Sequence, residues 1–275
     1  MTPPARRCAL SVAGLDPSGG AGVLADARAF VAAGAWPCAI VAVNTVQSTA
    51  GMASAMAVDA ATVRAQADAL FANQDVAAWK AGALGGVANI EVVRALRAAH
   101  PTVPFVVDPV LAPTRGGDGA RLTDVDALDA LRSLLAAATL VTPNVPEAET
   151  LLGKTIRGVE DSVAAACAMV DEGASAVLLK GGHLTGPTVT DVFATRAGAV
   201  LLEGPRLPVP GDFHGGGCTL SALITGRLAA GAAPMDDASL LDAVRWARAR
   251  MERAIARRVR VGVGLAVLPL DEELR

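Results

Sequence analysis

The chain has 275 residues, 52% of them hydrophobic, with a net charge of −3 and a mean hydropathy of +0.43. Its length suits one large α/β domain, the mixed charge argues against a nucleic-acid partner, and no run approaches the roughly 18 unbroken apolar residues of a membrane span. Four cysteines (Cys8, Cys38, Cys167 and Cys218) show no Cys-x-x-Cys spacing, which argues against zinc and against a disulfide framework. The segment Met1 to Arg7 is too short and too proline-rich to precede a signal-peptide core, so a cytoplasmic protein is expected.

Apolar β-branched runs alternate with helical patterns along most of the chain. Strands are expected at Cys8–Ala13, Cys38–Thr45, Val76–Ala81, Phe105–Val110, Thr139–Pro143 and Ala176–Lys180. Between them, helices are expected at Ala21–Ala33, Ala61–Ala72, Asn89–Ala99, Asp124–Ala137, Pro146–Leu152 and Val159–Glu172. Continuous apolar runs such as "PFVVDPV" suit strands covered on both faces, and the alternation implies right-handed crossovers in a mainly parallel sheet. After Lys180, Val189–Ala194 and Val200–Leu202 read as an antiparallel hairpin, followed by "GDFHGGGCTLS" and helices at Thr219–Ala230 and Ser239–Arg258. The expected architecture is a single doubly wound α/β domain over 1–275, its central, mostly parallel sheet flanked by helices, with 1–7 and 262–275 as peripheral tails. The arginines between Arg245 and Arg260 read as a solvated helix face.

Ligands of open parallel sheets gather beyond the carboxyl ends of the strands, so the residues that follow the strands carry the chemistry. The first strand empties into "AGLDPSGGAG", whose glycines let backbone approach a ligand, although a plain strand-to-helix turn has the same composition. Asp26, one turn into the next helix, either points back at a ligand or faces water. Asp108 ends a strand, as a buried cap or as a contact for Mg²⁺ or a charged lid. Asn144 and Glu147 open a helix either as cap and dipole partner or as a holder of a magnesium water. Lys180 stands beside two glycines at another strand end, as in a nucleotide phosphate neighbourhood, and His183 is a surface residue or a ligand. In "GDFHGGGCTLS" the glycines present N–H groups to an anion at a helix start, and the same field is expected to lower the thiol pKa of Cys218, although the segment taken alone also fits a redox cysteine or a flexible turn before a helix.

Seven segments in this order, "AGLDPSGGAG", "VQSTAG", "WKAGAL", "VVDPV", "TPNVPEAETLLG", "LLKGGH" and "HGGGCTLSA", resemble the ribokinase-like superfamily. Within it they are most similar to the hydroxymethylpyrimidine/phosphomethylpyrimidine kinases of thiamine biosynthesis, from about Ala9 to Ile255. The resemblance implies that ATP with Mg²⁺ phosphorylates the hydroxymethyl group of 4-amino-5-hydroxymethyl-2-methylpyrimidine and then the monophosphate. It also implies a small-molecule pyrimidine and ATP as partners, and allows a homodimer. Position by position, it implies Asp26 and Gln47 as the polar pair on the pyrimidine, with Ala21, Gly22, Ala83 and Val110 lining the pocket. Cys218 takes the place of the proposed base, Gly215, Gly216 and Gly217 the anion hole, and Asn144 and Glu147 the Mg-ATP motif, with Asp108 and Lys180 beside them.

The family usually has threonine where Gly216 stands, Ser or Thr at Leu15, and methionine at Ala83. Its flap lysine is absent from Pro113-Thr114-Arg115-Gly116, and Arg115 could supply the charge with a different reach. Two other readings remain at this point: a pyridoxal or pyridoxine kinase, and a non-catalytic pyrimidine sensor.

Overall fold

The computed structural model describes residues 6–113, 122, 125–207, 213–231 and 235–270. In chain order the strands and helices are β1 (Cys8–Leu15), α1 (Gly22–Ala32), β2 (Trp36–Ser48), β3 (Gly51–Ala57), α2 (Ala60–Asn73), β4 (Val76–Ala81), α3 (Val87–Ala99), β5 (Phe105–Val107), α4 (Leu128–Leu135) and β6 (Leu140–Val141). There follow α5 (Val145–Leu152), α6 (Val159–Asp171), β7 (Ala176–Leu179), β8 (Thr188–Thr195), β9 (Gly198–Pro205), α7 (Gly216–Ala230) and α8 (Asp237–Ala256). The nine strands form one sheet in the order β3-β2-β1-β4-β5-β6-β7-β8-β9. The six from β2 to β7 are parallel, while β3 pairs antiparallel with β2 and the β8–β9 hairpin pairs antiparallel with β7.

Alternation along each strand feeds two cores. Leu10, Val12, Trp79, Phe105, Val107 and Val177 pack on one face with residues of α2 to α6 such as Val63, Ile90, Leu134 and Ala166. Ala9, Ala78, Val106, Leu140 and Leu178 pack on the other with Phe30 of α1, Leu223 of α7 and Val244 of α8. This is the doubly wound arrangement, and the central strands are apolar throughout because both of their faces are covered. From β1 the chain first builds towards β2 and then returns to the other side with β4, so the topological switch lies between β1 and β4. There Gly14 lies against Ala83, with room for only an ordinary contact.

The differences from the sequence reading have local causes. The antiparallel strand β3 was not foreseen, because "GMASAMA" holds no β-branched residue and lies largely exposed at the sheet edge. β5 stops at Val107: the Asp108 N–H still donates to the Ala81 carbonyl, but the Val110 N–H turns back to the Asp108 carbonyl and ends the ladder. Of residues 262–270, expected as a peripheral tail, Gly262 and Val263 are exposed but 264–270 are built in. The Leu265 N–H donates to the Thr49 carbonyl, the Ala266 carbonyl accepts from the His214 N–H, and Leu265, Val267, Leu268 and Leu270 are buried. No helix among the described residues is long and apolar enough to cross a membrane.

Candidate active site

The site is assembled beyond the carboxyl ends of β1, β4, β5, β6 and β7, closed above by the start of α7. The loop after β1 is organised by Asp16, whose carboxylate accepts the Ser18 N–H and the Ala21 N–H at 2.9 Å each. Gly22 has φ +59°, and a Cβ there would overlap the Gly14 carbonyl oxygen, so only glycine lets the chain turn this tightly into α1. Gly215 has φ +78° and caps α7, and a Cβ on it would overlap the Gly20 carbonyl. The two glycine loops are therefore in direct backbone contact. No side chain caps α7, which leaves the N–H groups of its first turn directed at whatever occupies the site.

Beneath that turn lies a buried charge network. Lys180 Nζ donates to Asp108 Oδ1 at 2.9 Å and stands 4.0 Å from Glu147 Oε2. The Thr142 hydroxyl donates to the same Asp108 oxygen at 3.1 Å, and a Cβ on Gly217 would lie 3.0 Å from the Lys180 ammonium. Burial opposes the charge on Asp108, but Lys180 and Lys80 overcome it and hold the carboxyl below its ordinary range. Asn144 and Glu147 form a reciprocal capping box on α5, with the Asn144 N–H donating to Glu147 Oε2 at 2.7 Å and the Glu147 N–H to Asn144 Oδ1 at 2.9 Å. Burial, with Asp108 adding repulsion, still pushes the Glu147 carboxyl up to about 7.

A second pair lies deeper. Asp26, on the inward face of α1, is fully buried, with its carboxylate accepting from the Ser11 hydroxyl at 2.6 Å and from Lys80 at 2.9 Å. Lys80 has no exposed surface. Burial works against its charge, and Asp26 leads the negative neighbours that outweigh this and raise its pKa. Asp26 thus does not point to water: it lies on the buried face of α1 and is held by Lys80 and Ser11.

Cys218 is half-buried in the first turn of α7. The expected lowering of its pKa is overturned: burial, then the Asp108 and Asp26 carboxylates, push the thiol up to about 12 against Lys80 and the Gly22 backbone. Desolvation and two acidic neighbours outweigh the field of the helix end. Gln47, on β2, reaches His214, which in turn contacts Asp16. Ala21 and Gly22 face Gly215 and Cys218, while Ala83 and Val110 follow β4 and β5 on the rim. Arg115 lies outside the described residues. The sequence reading missed Asp16, Lys80, Thr142 and His214. A lone lysine in the apolar strand "VAAWKA" was the one available signal, since a buried lysine needs a partner.

Gly216 has its own explanation. A Cβ there would lie 2.6 Å from the ring edge of Phe213, which packs against the α7–α8 side of the core. The aromatic ring fills the space that a side chain at 216 would need. Gly216→Thr is therefore expected to destabilise the protein by about 1–3 kcal/mol through overpacking, and Phe213→Ala should remove most of that penalty. Urea denaturation of the two single variants and the double variant measures the coupling, and additive effects would show that the ring is not the obstacle.

The phosphomethylpyrimidine kinase family model matches residues 16–269. A protein of Rhizobium meliloti named hydroxymethylpyrimidine/phosphomethylpyrimidine kinase is 40% identical over 261 residues, 93% of each chain. Among solved structures, the ADP complex of Bacillus subtilis pyridoxal kinase superposes with a TM-score of 0.86 at 28% identity, covering 98% of this chain and 100% of that one. A phosphomethylpyrimidine kinase from Clostridium difficile superposes with a TM-score of 0.76 at 28% identity, covering 91% and 100%. With the family's motifs converging on one cradle in a ribokinase-like fold, this chain belongs to the phosphomethylpyrimidine kinase family and is a phosphotransferase.

Proposed function

We propose that the protein uses ATP to phosphorylate 4-amino-5-hydroxymethyl-2-methylpyrimidine and then its monophosphate, giving the diphosphate for thiamine biosynthesis. The observation that carries this reading is the uncapped first turn of α7, set over Lys180 and Asp108 and touching the β1 loop. Phosphoryl transfer asks chiefly for positioning and for stabilisation of charge on the phosphoryl oxygens. The α7 N–H groups and the Lys180 ammonium supply both, and Cys218 at their edge is the candidate acceptor of the hydroxymethyl proton. Ala21, Gly22, Ala83 and Val110 would frame the heterocycle, with Gln47 on its polar edge.

The donor set also fits Mg²⁺. Asp108 and Glu147 are hard oxygen donors 39 residues apart in the chain that converge on Lys180. Among the described residues no group of three or more His, Cys, Asp or Glu could hold a metal by itself. That pattern suits an ion that arrives with the nucleotide, keeps several waters and takes few carboxylates. When bound, Mg²⁺ supplies charge neutralisation on the phosphates.

The superposition on the Bacillus subtilis pyridoxal kinase favours a second substrate, pyridoxal, which also carries a hydroxymethyl group on a six-membered aromatic heterocycle. Incubation with Mg-ATP and each heterocycle, read by mass spectrometry, separates the readings. Pyrimidine monophosphate followed by diphosphate is the expected result. Phosphorylated pyridoxal alone would replace the pyrimidine reading, and no product from either would overturn both.

A further inference from the structure

His214 is the junction of three parts of the site. It is 5% exposed, its Nε2 lies 2.7 Å from Asp16 Oδ2 and 3.1 Å from Gln47 Nε2, and Gly215 follows it directly into the cradle. A Cβ on Gly20 would overlap the imidazole at Cδ2, so the β1 loop is packed directly against the ring. Asp16, Gln47 and His214 come from the β1 loop, the long strand β2 and the α7 approach, and no local sequence feature joins them.

The protons in this junction can be counted. Burial opposes the charge on Asp16, but hydrogen bonds from His214 and Ser18 more than offset it, so the carboxyl titrates below its ordinary range and acts as an acceptor only. The atom facing it at 2.7 Å, His214 Nε2, must therefore carry a proton. That proton conflicts with an amide N–H of Gln47 pointing at the same nitrogen. A second conflict lies at the other end of the amide. The Thr45 hydroxyl donates to the Leu15 carbonyl at 2.7 Å, which leaves Gln47 Oε1, 3.2 Å away, without a good donor. One half-turn of the Gln47 amide replaces the clash of two donors at Nε2 by an attractive contact and gives the amide a partner at Thr45. Its oxygen then shares the His214 Nε2 proton as the longer, secondary acceptor beside Asp16 Oδ2, and its nitrogen donates to the Thr45 hydroxyl oxygen, leaving one N–H unspent.

We propose that the Asp16–His214 pair is a positioning device that locks the Gln47 amide with its oxygen towards His214, so that Gln47 offers the pocket a donor. The consequence for specificity is that the ligand is read at Gln47 through an acceptor atom, such as a ring nitrogen, rather than through an exocyclic amine. This specificity claim rests on Gln47 facing the heterocycle, as in the function proposed above. The arrangement of protons does not, and can be measured on the free protein.

The chain has three histidines, so long-range ¹H–¹⁵N spectra of the imidazoles can be assigned with a His214→Gln variant. The expected result at neutral pH is a proton on His214 Nε2 in the free wild-type protein. A neutral ring protonated at Nδ1 with a bare Nε2 overturns the proposal. Gln47→Glu keeps an oxygen for His214 and removes the donor. In that variant His214 Nε2 should keep its proton, and the KM for the heterocycle should rise about tenfold or more while the KM for ATP moves by less than about twofold. An unchanged heterocycle KM overturns the donor assignment. Failure of the wild-type protein to phosphorylate any heterocycle would sink the functional reading instead, and would leave the imidazole proton as measured.

Discussion

Cys218→Ala is expected to lower kcat by about 10²- to 10⁴-fold, the usual worth of a positioned proton acceptor, with the KM for the heterocycle nearly unchanged. The pH dependence is the sharper test. Because burial and the Asp108 and Asp26 carboxylates push the thiol up to about 12, it is almost wholly protonated near neutrality. The thiolate fraction then grows about tenfold per pH unit below that value. A wild-type kcat limited by proton removal at Cys218 should climb steeply from pH 6.5 to 8.5, and the alanine variant should lose that slope. Parallel profiles, or turnover surviving within a factor of a few, would show that Cys218 is not the acceptor. The α7 N–H groups and Lys180 would then carry the catalysis.

Lys80→Met should be the most damaging substitution for stability, at about 3–5 kcal/mol, because it strands the Asp26 carboxylate in the interior. The sign of its pH dependence follows from Asp26, which burial already holds above the ordinary carboxylate range against the help of Lys80 and Ser11. Without Lys80 the folded-state pKa rises further. A raised folded pKa contributes stability that is present below the unfolded value and is lost as pH rises, so the deficit of Lys80→Met should shrink towards acid pH. Urea denaturation at about pH 5 and pH 8 measures this. A deficit that is equal at both, or one that Asp26→Asn fails to relieve in the double variant, would mean that the pair is not the source.

The Asp26–Lys80 pair also marks how far the sequence could be read. From the sequence, Asp26 matched a pyrimidine-facing position, and nothing local said that it lies on the buried face of α1, opposite a lysine 54 residues away. The edge strand β3 was equally silent, because alanine, glycine and methionine carry no strand preference when only one neighbour holds them. The central strands were legible because two covered faces force apolar runs of strand length. The β4 limits, Val76–Ala81, agree with expectation residue for residue.

By itself the sequence determined the doubly wound sheet, the order of the loops at its carboxyl end and the family. Each of these is written in short-range patterns of hydrophobicity, glycine and helix capping. Only the tertiary structure decided the state of the chemical groups. It raised the Cys218 thiol that a helix start alone would have lowered, and it turned Asp26 inwards onto Lys80. It also brought Asp16, Gln47 and His214 onto one imidazole nitrogen, across 198 residues of chain. Proton affinities and hydrogen-bond roles depend on desolvation and on charges a few ångströms away, and those neighbours come from distant segments. In "GDFHGGGCTLS" the glycines and the helix start are local facts. The Phe213 ring beside Gly216, the acidic neighbours of Cys218 and the proton on His214 belong to the fold.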